Sequence, residues 1–222
     1  MEYVMKPIKQ IRAFRRSGKY MSLLARFFAK NDFQEEDIPL PEDAPILFAA
    51  NHRSFFDVII AWAVFSRSGI NCHCLIRADL FEKPLIGGWL KRNGCIPTSR
   101  QTREEAERRA ISKLNAGYAV AIMPEGRLVP AEERPHGVGQ GRPGISRIAR
   151  ATGAKIVPVA IEGSHLVWPL GKSLPVPRLR RPVVSVRFGD PFFLDSDDDI
   201  ENVEKIMGSI QDLLTLMRHE SS

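Results

Sequence analysis

Apolar positions along this chain fall into two alternating patterns. Short continuous or every-other-residue runs at 46–50, 72–76, 118–123, 156–161 and 183–188 predict strands, with a further short one at 94–97. Helical spacings at 55–65, 84–91, 102–115, 145–151 and 198–217 predict helices between and after them. The helix at 102–115 is predicted to open on a capping box, Thr102 with Glu105 three residues on. In the last helix Ile200, Val203, Ile206, Ile210, Leu213, Leu214 and Met217 are predicted to share one face. Asp197, Asp198 and Asp199 suit the positive end of its dipole. Alternation of this kind predicts an α/β domain with a mixed, mostly parallel sheet flanked by helices.

The first thirty residues read differently. Val4, Ile8 and Ile11 share one helical face, Met21, Leu24 and Phe28 another, and Ser17-Gly18 is read as a break between two short amphipathic helices. Residues 31–45 are acidic and proline-bearing, and are read as a linker. The expected division is therefore a basic helical arm and linker at 1–43 and an α/β domain at 44–222.

Charge sharpens that division. The chain of 222 residues carries +6. Residues 1–30 hold eight lysines and arginines against Glu2 alone, so the remainder is close to neutral. Basic residues opposite an apolar face fit a helix lying on an anionic membrane surface, although such helices also pack on their own domain with a solvated basic side. The longest apolar run, 58–65, is too short to span a bilayer. No leader-like apolar stretch with a small-residue cleavage site opens the chain. Three cysteines are too few for a disulfide framework and fit a reducing compartment. The expected location is peripheral, on the cytoplasmic face of a membrane, without a transmembrane helix. Nucleic acid is not expected as a partner, because the remainder lacks both the basic charge and a recognised motif.

Four segments could carry chemistry. Asn51-His52-Arg53-Ser54-Phe55-Phe56-Asp57 follows a predicted strand and opens a helix. A histidine can act as a general base near neutral pH, and a carboxylate can orient its ring. On one straight helix, positions five apart cannot meet, so His52 must lie in the loop and Asp57 in the first helical turn. The bland alternative is a capping box, Ser54 with Asp57. Met123-Pro124-Glu125-Gly126-Arg127 follows another strand, where α/β sheets bind ligands, and Arg127 offers a planar fork for phosphate. It reads equally as a charged turn. Gly94-Cys95-Ile96-Pro97-Thr98-Ser99-Arg100, with Arg103 nearby, leads into a helix N-terminus suited to an anion or to a plain cap. The fourth segment, 156–161, is a buried strand and says nothing alone. Cys72-His73-Cys74 lacks a second ligand pair, so no metal is expected.

Taken together, these segments resemble the four sequence blocks of the glycerolipid acyltransferase family, best known through the 1-acylglycerol-3-phosphate acyltransferases. The resemblance runs from about residue 44 to residue 193. Asn51, His52 and Asp57 match its His-x4-Asp block. Gly94, Ile96 and Arg100 match its Gly-x-Ile…Arg block. Pro124, Glu125 and Gly126 match Pro-Glu-Gly-Thr-Arg, and Val157, Pro158 and Val159 match Val-Pro-Val. One departure stands out: the usual Thr is missing and Arg127 follows Gly126 directly. Either Arg127 substitutes for the usual arginine, or its role has moved to Arg134 or Arg142.

The resemblance implies an O-acyltransferase of phospholipid biosynthesis. It would take a fatty acyl group from acyl-CoA or acyl-carrier protein to a lysophospholipid hydroxyl, with no cofactor or metal. His52 and Asp57 would be catalytic, and Arg100, Glu125, Gly126 and Arg127 would grip the acceptor. Residues 1–30 would contact the anionic membrane. Rival readings are a different hydroxyl-lipid acceptor, a thioester hydrolase, and a non-enzymatic module that binds anionic membranes.

Overall fold

The computed structural model describes residues 12–33, 38–134 and 137–220. Seven strands form one sheet in the order β1-β7-β6-β2-β5-β3-β4. They are β1 (Lys30–Phe33), β2 (Ile46–Ala50), β3 (Cys72–Arg77), β4 (Ile96–Thr98), β5 (Ala119–Ile122), β6 (Lys155–Glu162) and β7 (Val183–Phe188). All neighbours run parallel except β6 and β7, so five strands point one way and the edge pair β7-β1 the other. This is the mixed, mostly parallel sheet that the alternating pattern predicts.

The central strand explains the layering. Every residue of β2 is buried, as a parallel strand covered on both faces requires. Phe48 and Ala50 face a core shared with α1 (Arg12–Phe28) and α2 (Phe56–Arg67). Leu47 and Ala49 face a second core made with α4 (Arg103–Asn115), α5 (Gly144–Thr152) and α7 (Asp199–Glu220). Two short helices, α3 (Ile86–Arg92) and α6 (Ser164–Val167), complete the set along with two 3₁₀ turns. Among the described residues no helix is long and apolar enough to cross a membrane.

Several expectations change at the N-terminal end. The first predicted helix, with Val4, Ile8 and Ile11, lies outside the described residues. Ser17-Gly18 does not break a helix; both sit inside α1. Gly18 marks the point where α1 crosses α2, because a Cβ there would lie 1.7 Å from Ser66 Oγ. Ser17 Oγ accepts a bond from Trp89 Nε1 at 2.9 Å. The side of α1 bearing Met21, Leu24 and Phe28 turns inward against the core, where Phe14, Ala25 and Ala29 are fully buried. The residues left outside are Tyr20, Leu23 and Phe27, among Arg15, Arg16, Lys19 and Arg26. Residues 31–33, read as the start of a linker, join Lys30 in β1 and pair with β7. Two smaller differences follow from local geometry. Thr102 precedes α4 but its hydroxyl accepts from Ser99 N at 3.0 Å, so the capping box does not form. In α7, Ile200 is exposed while Val203, Ile206, Ile210, Leu214 and Met217 are buried; in the first turn it is Asn202 that faces inward, its Nδ2 donating to Ser196 O at 2.8 Å and Ser146 Oγ at 3.1 Å.

Candidate active site

The site assembles where the parallel strands end, the position at which α/β sheets carry ligands. As β2 ends, Asn51 extends the sheet with its side chain: Nδ2 donates to Ile161 O at 2.9 Å and Oδ1 accepts from Ile161 N at 2.8 Å. That two-point bond to β6 fixes where the next residue leaves the sheet. His52 lies in the following loop and Asp57 in the first turn of α2, and His52 Nδ1 stands 2.9 Å from Asp57 Oδ2.

Asp57 serves two purposes at once. Its Oδ2 also accepts from Arg53 N at 2.8 Å and Ser54 N at 2.9 Å, while Ser54 Oγ accepts from Phe56 N at 3.0 Å. The reciprocal helix cap and the His–Asp pair are therefore one construction, not alternatives. An oxygen that already accepts two amide hydrogens is an acceptor for Nδ1 as well. Nδ1 then carries the ring proton, and Nε2 is the nitrogen left for a substrate. Asp57 is fully buried and His52 is slightly exposed, lining a cavity of about 880 Å³.

The other predicted site residues divide into two groups. Arg100, Gly126 and Arg127 line the same cavity as His52. Glu125 stands behind its wall, with both carboxylate oxygens taken by backbone amides: Oε2 accepts from His52 N at 3.1 Å and Oε1 from Gly139 N at 2.9 Å. Burial pushes the Glu125 carboxyl above its ordinary range, and those two amide donors partly offset it. Arg127 is exposed and its guanidinium pairs with Glu133. Gly126 adopts φ +66°, and a Cβ there would lie 2.8 Å from Arg142 Nε.

Arg142 is the cavity-lining cation most firmly held by backbone. Its own N donates to Pro124 O at 2.9 Å and its Nε to Glu125 O at 3.2 Å. In the sequence it was visible only as one possible replacement for the missing block arginine. Arg103, at the start of α4, lines the cavity too. Deeper in, the walls are apolar: Phe48, Phe65, Ile76, Ala121, Ile161 and Phe188 lie between the sheet and α2. Of the Cys-His-Cys segment, Cys74 reaches the cavity lining while Cys72 and His73 lie buried beside it. His73 Nδ1 is 2.7 Å from Gly94 O, and burial lowers its pKa and raises that of Cys72.

The mostly parallel sheet thus brings the His52–Asp57 pair to a cavity lined by apolar side chains and by Arg100, Arg103, Arg127 and Arg142. Residues 33–162 match the Acyltransferase family, and the chain belongs to it. The chloroplastic 1-acyl-sn-glycerol-3-phosphate acyltransferase BAT2 of Brassica napus is 26% identical over 148 residues, 65% of this chain and 40% of that protein. The chloroplastic 1-acyl-sn-glycerol-3-phosphate acyltransferase LPAT1 of Arabidopsis thaliana is 24% identical over 139 residues, 61% of this chain and 36% of that protein. The chain thus spans less than half the length of these curated relatives. In fold it is similar to the crystal structure of the 1-acyl-sn-glycerophosphate acyltransferase PlsC of Thermotoga maritima. The TM-score is 0.69 at 21% identity, covering 92% of this chain and 79% of that one.

Proposed function

We propose that the protein transfers a fatty acyl group from a thioester, acyl-CoA or acyl-carrier protein, to a hydroxyl of a lysophospholipid. The observation that carries this is the His52–Asp57 pair at 2.9 Å opening onto a cavity whose depth is apolar and whose rim is cationic. An acyl chain fits the depth and an anionic group the rim. The curated relatives, named as 1-acyl-sn-glycerol-3-phosphate acyltransferases, make 1-acylglycerol-3-phosphate the first acceptor to try.

In this reading His52 Nε2 takes the proton of the acceptor hydroxyl as its oxygen attacks the thioester carbonyl. The tetrahedral intermediate collapses with cleavage of the carbon–sulfur bond. The thiolate then takes the proton back from the imidazolium, which Asp57 has stabilised meanwhile. Arg100, Arg127 and Arg142 hold the anionic part of the acceptor. Glu125 holds the loop that carries His52. The enzyme works as a peripheral protein on the cytoplasmic face of a membrane, with the basic N-terminal region toward anionic lipid.

A panel of hydroxyl acceptors with labelled acyl-CoA and acyl-carrier protein, read by lipid mass spectrometry, tests this. The expected result is thioester loss that depends on a lysophospholipid, with a diacyl product. Thioester loss without any acceptor would replace the transferase with a hydrolase.

A further inference from the structure

We infer that Arg134 and Arg218, set around the Arg53–Glu162 pair, form a second anion site, distinct from the arginines of the cavity, that takes the phosphate at the far end of a donor's pantetheine arm. This rests on the acyl-transfer reading for its donor, but binding at the site is measurable without turnover.

Cationic side chains gather on two sides of His52. Strand order puts β5, β3 and β4 on one side of β2 and β6 on the other. The arginines that line the cavity belong to the first side: Arg77 ends β3, Arg100 follows β4, and Arg127 and Arg142 follow β5. Glu162 ends β6, and a second set of arginines meets there; the described residues of the cavity wall include none of them. Arg53, next to the catalytic histidine, donates through Nη1 to Glu162 Oε1 and through Nη2 to Gly137 O at 3.3 Å. Arg218, in the last turn of α7, donates to Glu162 Oε2 at 3.3 Å.

Arg134 completes the set. The sequence leaves it, with Arg142, as a replacement for the missing block arginine, and it is Arg142 that lines the cavity. Arg134 is half-buried instead beside Arg53 and Glu162, close enough to Glu125 and Asp57 to feel their charges. Its neighbour Glu133 is engaged by Arg127.

This cluster is short of acceptors. Among the described residues Arg53 Nε and Arg134 Nη1 are buried with no hydrogen-bond partner. His165 Nδ1 is a third such atom, 3.9 Å from Glu162 Oε1. Burial lowers the pKa values of Arg134 and His165, and the charge of Arg53 lowers both further. Guanidiniums held side by side with unpaired nitrogens are costly unless an anion shares them. The partly open Arg134 and the exposed Arg218 are where one can enter.

The chemistry selects the donor's phosphate. Each substrate of the transfer brings an anion, and the cavity arginines serve the acceptor's. Like charges are best held apart, on opposite sides of the base. Acyl-CoA and acyl-carrier protein share one anionic group, the phosphate ester that ends the pantetheine arm, and arginine forks match its oxygens.

The test gives the full chain S-acyl-phosphopantetheine and S-acyl-pantetheine, donors that differ only in the phosphate, and the matching S-alkyl thioethers, which bind without reacting. The parent should favour the phosphorylated member of each pair roughly tenfold or more in donor KM and in Kd. Arg134→Ala should melt like the parent and lose most of that preference, with the phosphate-free donor and the acceptor KM near parent values. Arg218→Ala, at the exposed end of α7, should lose part of it, and carries the test if Arg134→Ala does not fold. Acyl-CoA and acyl-carrier protein then separate the sources: the donor whose KM rises in these variants is the one the site serves. An unchanged phosphate preference in both variants overturns the inference, even if acyl-carrier protein binds less well, because the contact is then with the carrier's own surface. A raised acceptor KM in Arg134→Ala also overturns it. A parent inactive on every acceptor, whose Arg134→Ala variant still loses the phosphorylated thioether, overturns the acyl-transfer reading and leaves the site standing.

Discussion

His52 and Asp57 form a unit in which removal of either partner has a different structural cost. His52→Ala takes away the only ring in the pair and disturbs no cap, so activity should fall by about 10²–10⁴ with the thermal melt unchanged. Asp57→Asn keeps an oxygen for the amides of Arg53 and Ser54 but no longer offers His52 a carboxylate. A comparable loss of rate, with a small loss of stability, is expected in the same assay. Glu125 separates a positioning role from contact with the acceptor. Its two oxygens serve His52 N and Gly139 N, and a glutamine offers only one acceptor oxygen. Losing a buried hydrogen bond costs about 1–3 kcal/mol, so Glu125→Gln should lower kcat by roughly 5- to 150-fold while the acceptor KM stays near its parent value. A raised KM at constant kcat would restore Glu125 to the acceptor. For the arginines the order is reversed. Arg100→Ala should raise the KM of a phosphate-bearing acceptor by about 10- to 150-fold. Arg127→Ala should raise it less, because Glu133 already shares that guanidinium. Steady-state kinetics with acceptor and donor varied separately distinguish the cases.

Among the elements, the crossing of α1 over α2 makes the sharpest demand on a single residue. Gly18→Ala puts a Cβ into Ser66 and should cost about 1–3 kcal/mol in urea unfolding. Adding Ser66→Gly should return part of that stability. This glycine also marks a limit of reading by pattern. A glycine beside a serine signals a break only if nothing packs there, and the helix that packs on it lies forty residues away in the chain. Strands 46–50 and 183–188 are legible to the residue because burial on the sheet demands unbroken or alternating apolar side chains. β1 is not, because its sequence Lys-Asn-Asp-Phe is that of an exposed edge and carries no apolar run. The inward and outward sides of α1 are both apolar enough to be mistaken for each other; the choice is made by Phe14 meeting Trp62, a contact across 48 positions. At the site, the separation of His52 and Asp57 required a loop followed by a first turn, which is the geometry found. What Glu125 touches was hidden because its partners are backbone amides, which leave no mark on the residue types around them.

At the scale of the whole molecule, the basic N-terminal region and the sheet share one core. Removing residues 1–30 takes away Phe14, Ala25 and Ala29 from that core and Lys30 from its pairing with β7. Such a truncation should give a protein without a cooperative melt by far-UV circular dichroism, instead of a folded domain released from lipid. Substitution of Tyr20, Leu23 and Phe27 is the way to probe that region without unfolding it.

The order of the strands leaves β4 and β1 as the two open margins of the sheet. At one, Pro97 has no amide hydrogen to offer an incoming chain. At the other, a four-residue strand carries Lys30 and Asp32, the latter paired with Arg187. Neither margin invites another copy to continue the hydrogen-bonded ladder. Copies crowded together at high local density meet edge-on, the condition under which stacking into fibres is most dangerous. These two short, interrupted margins oppose that stacking.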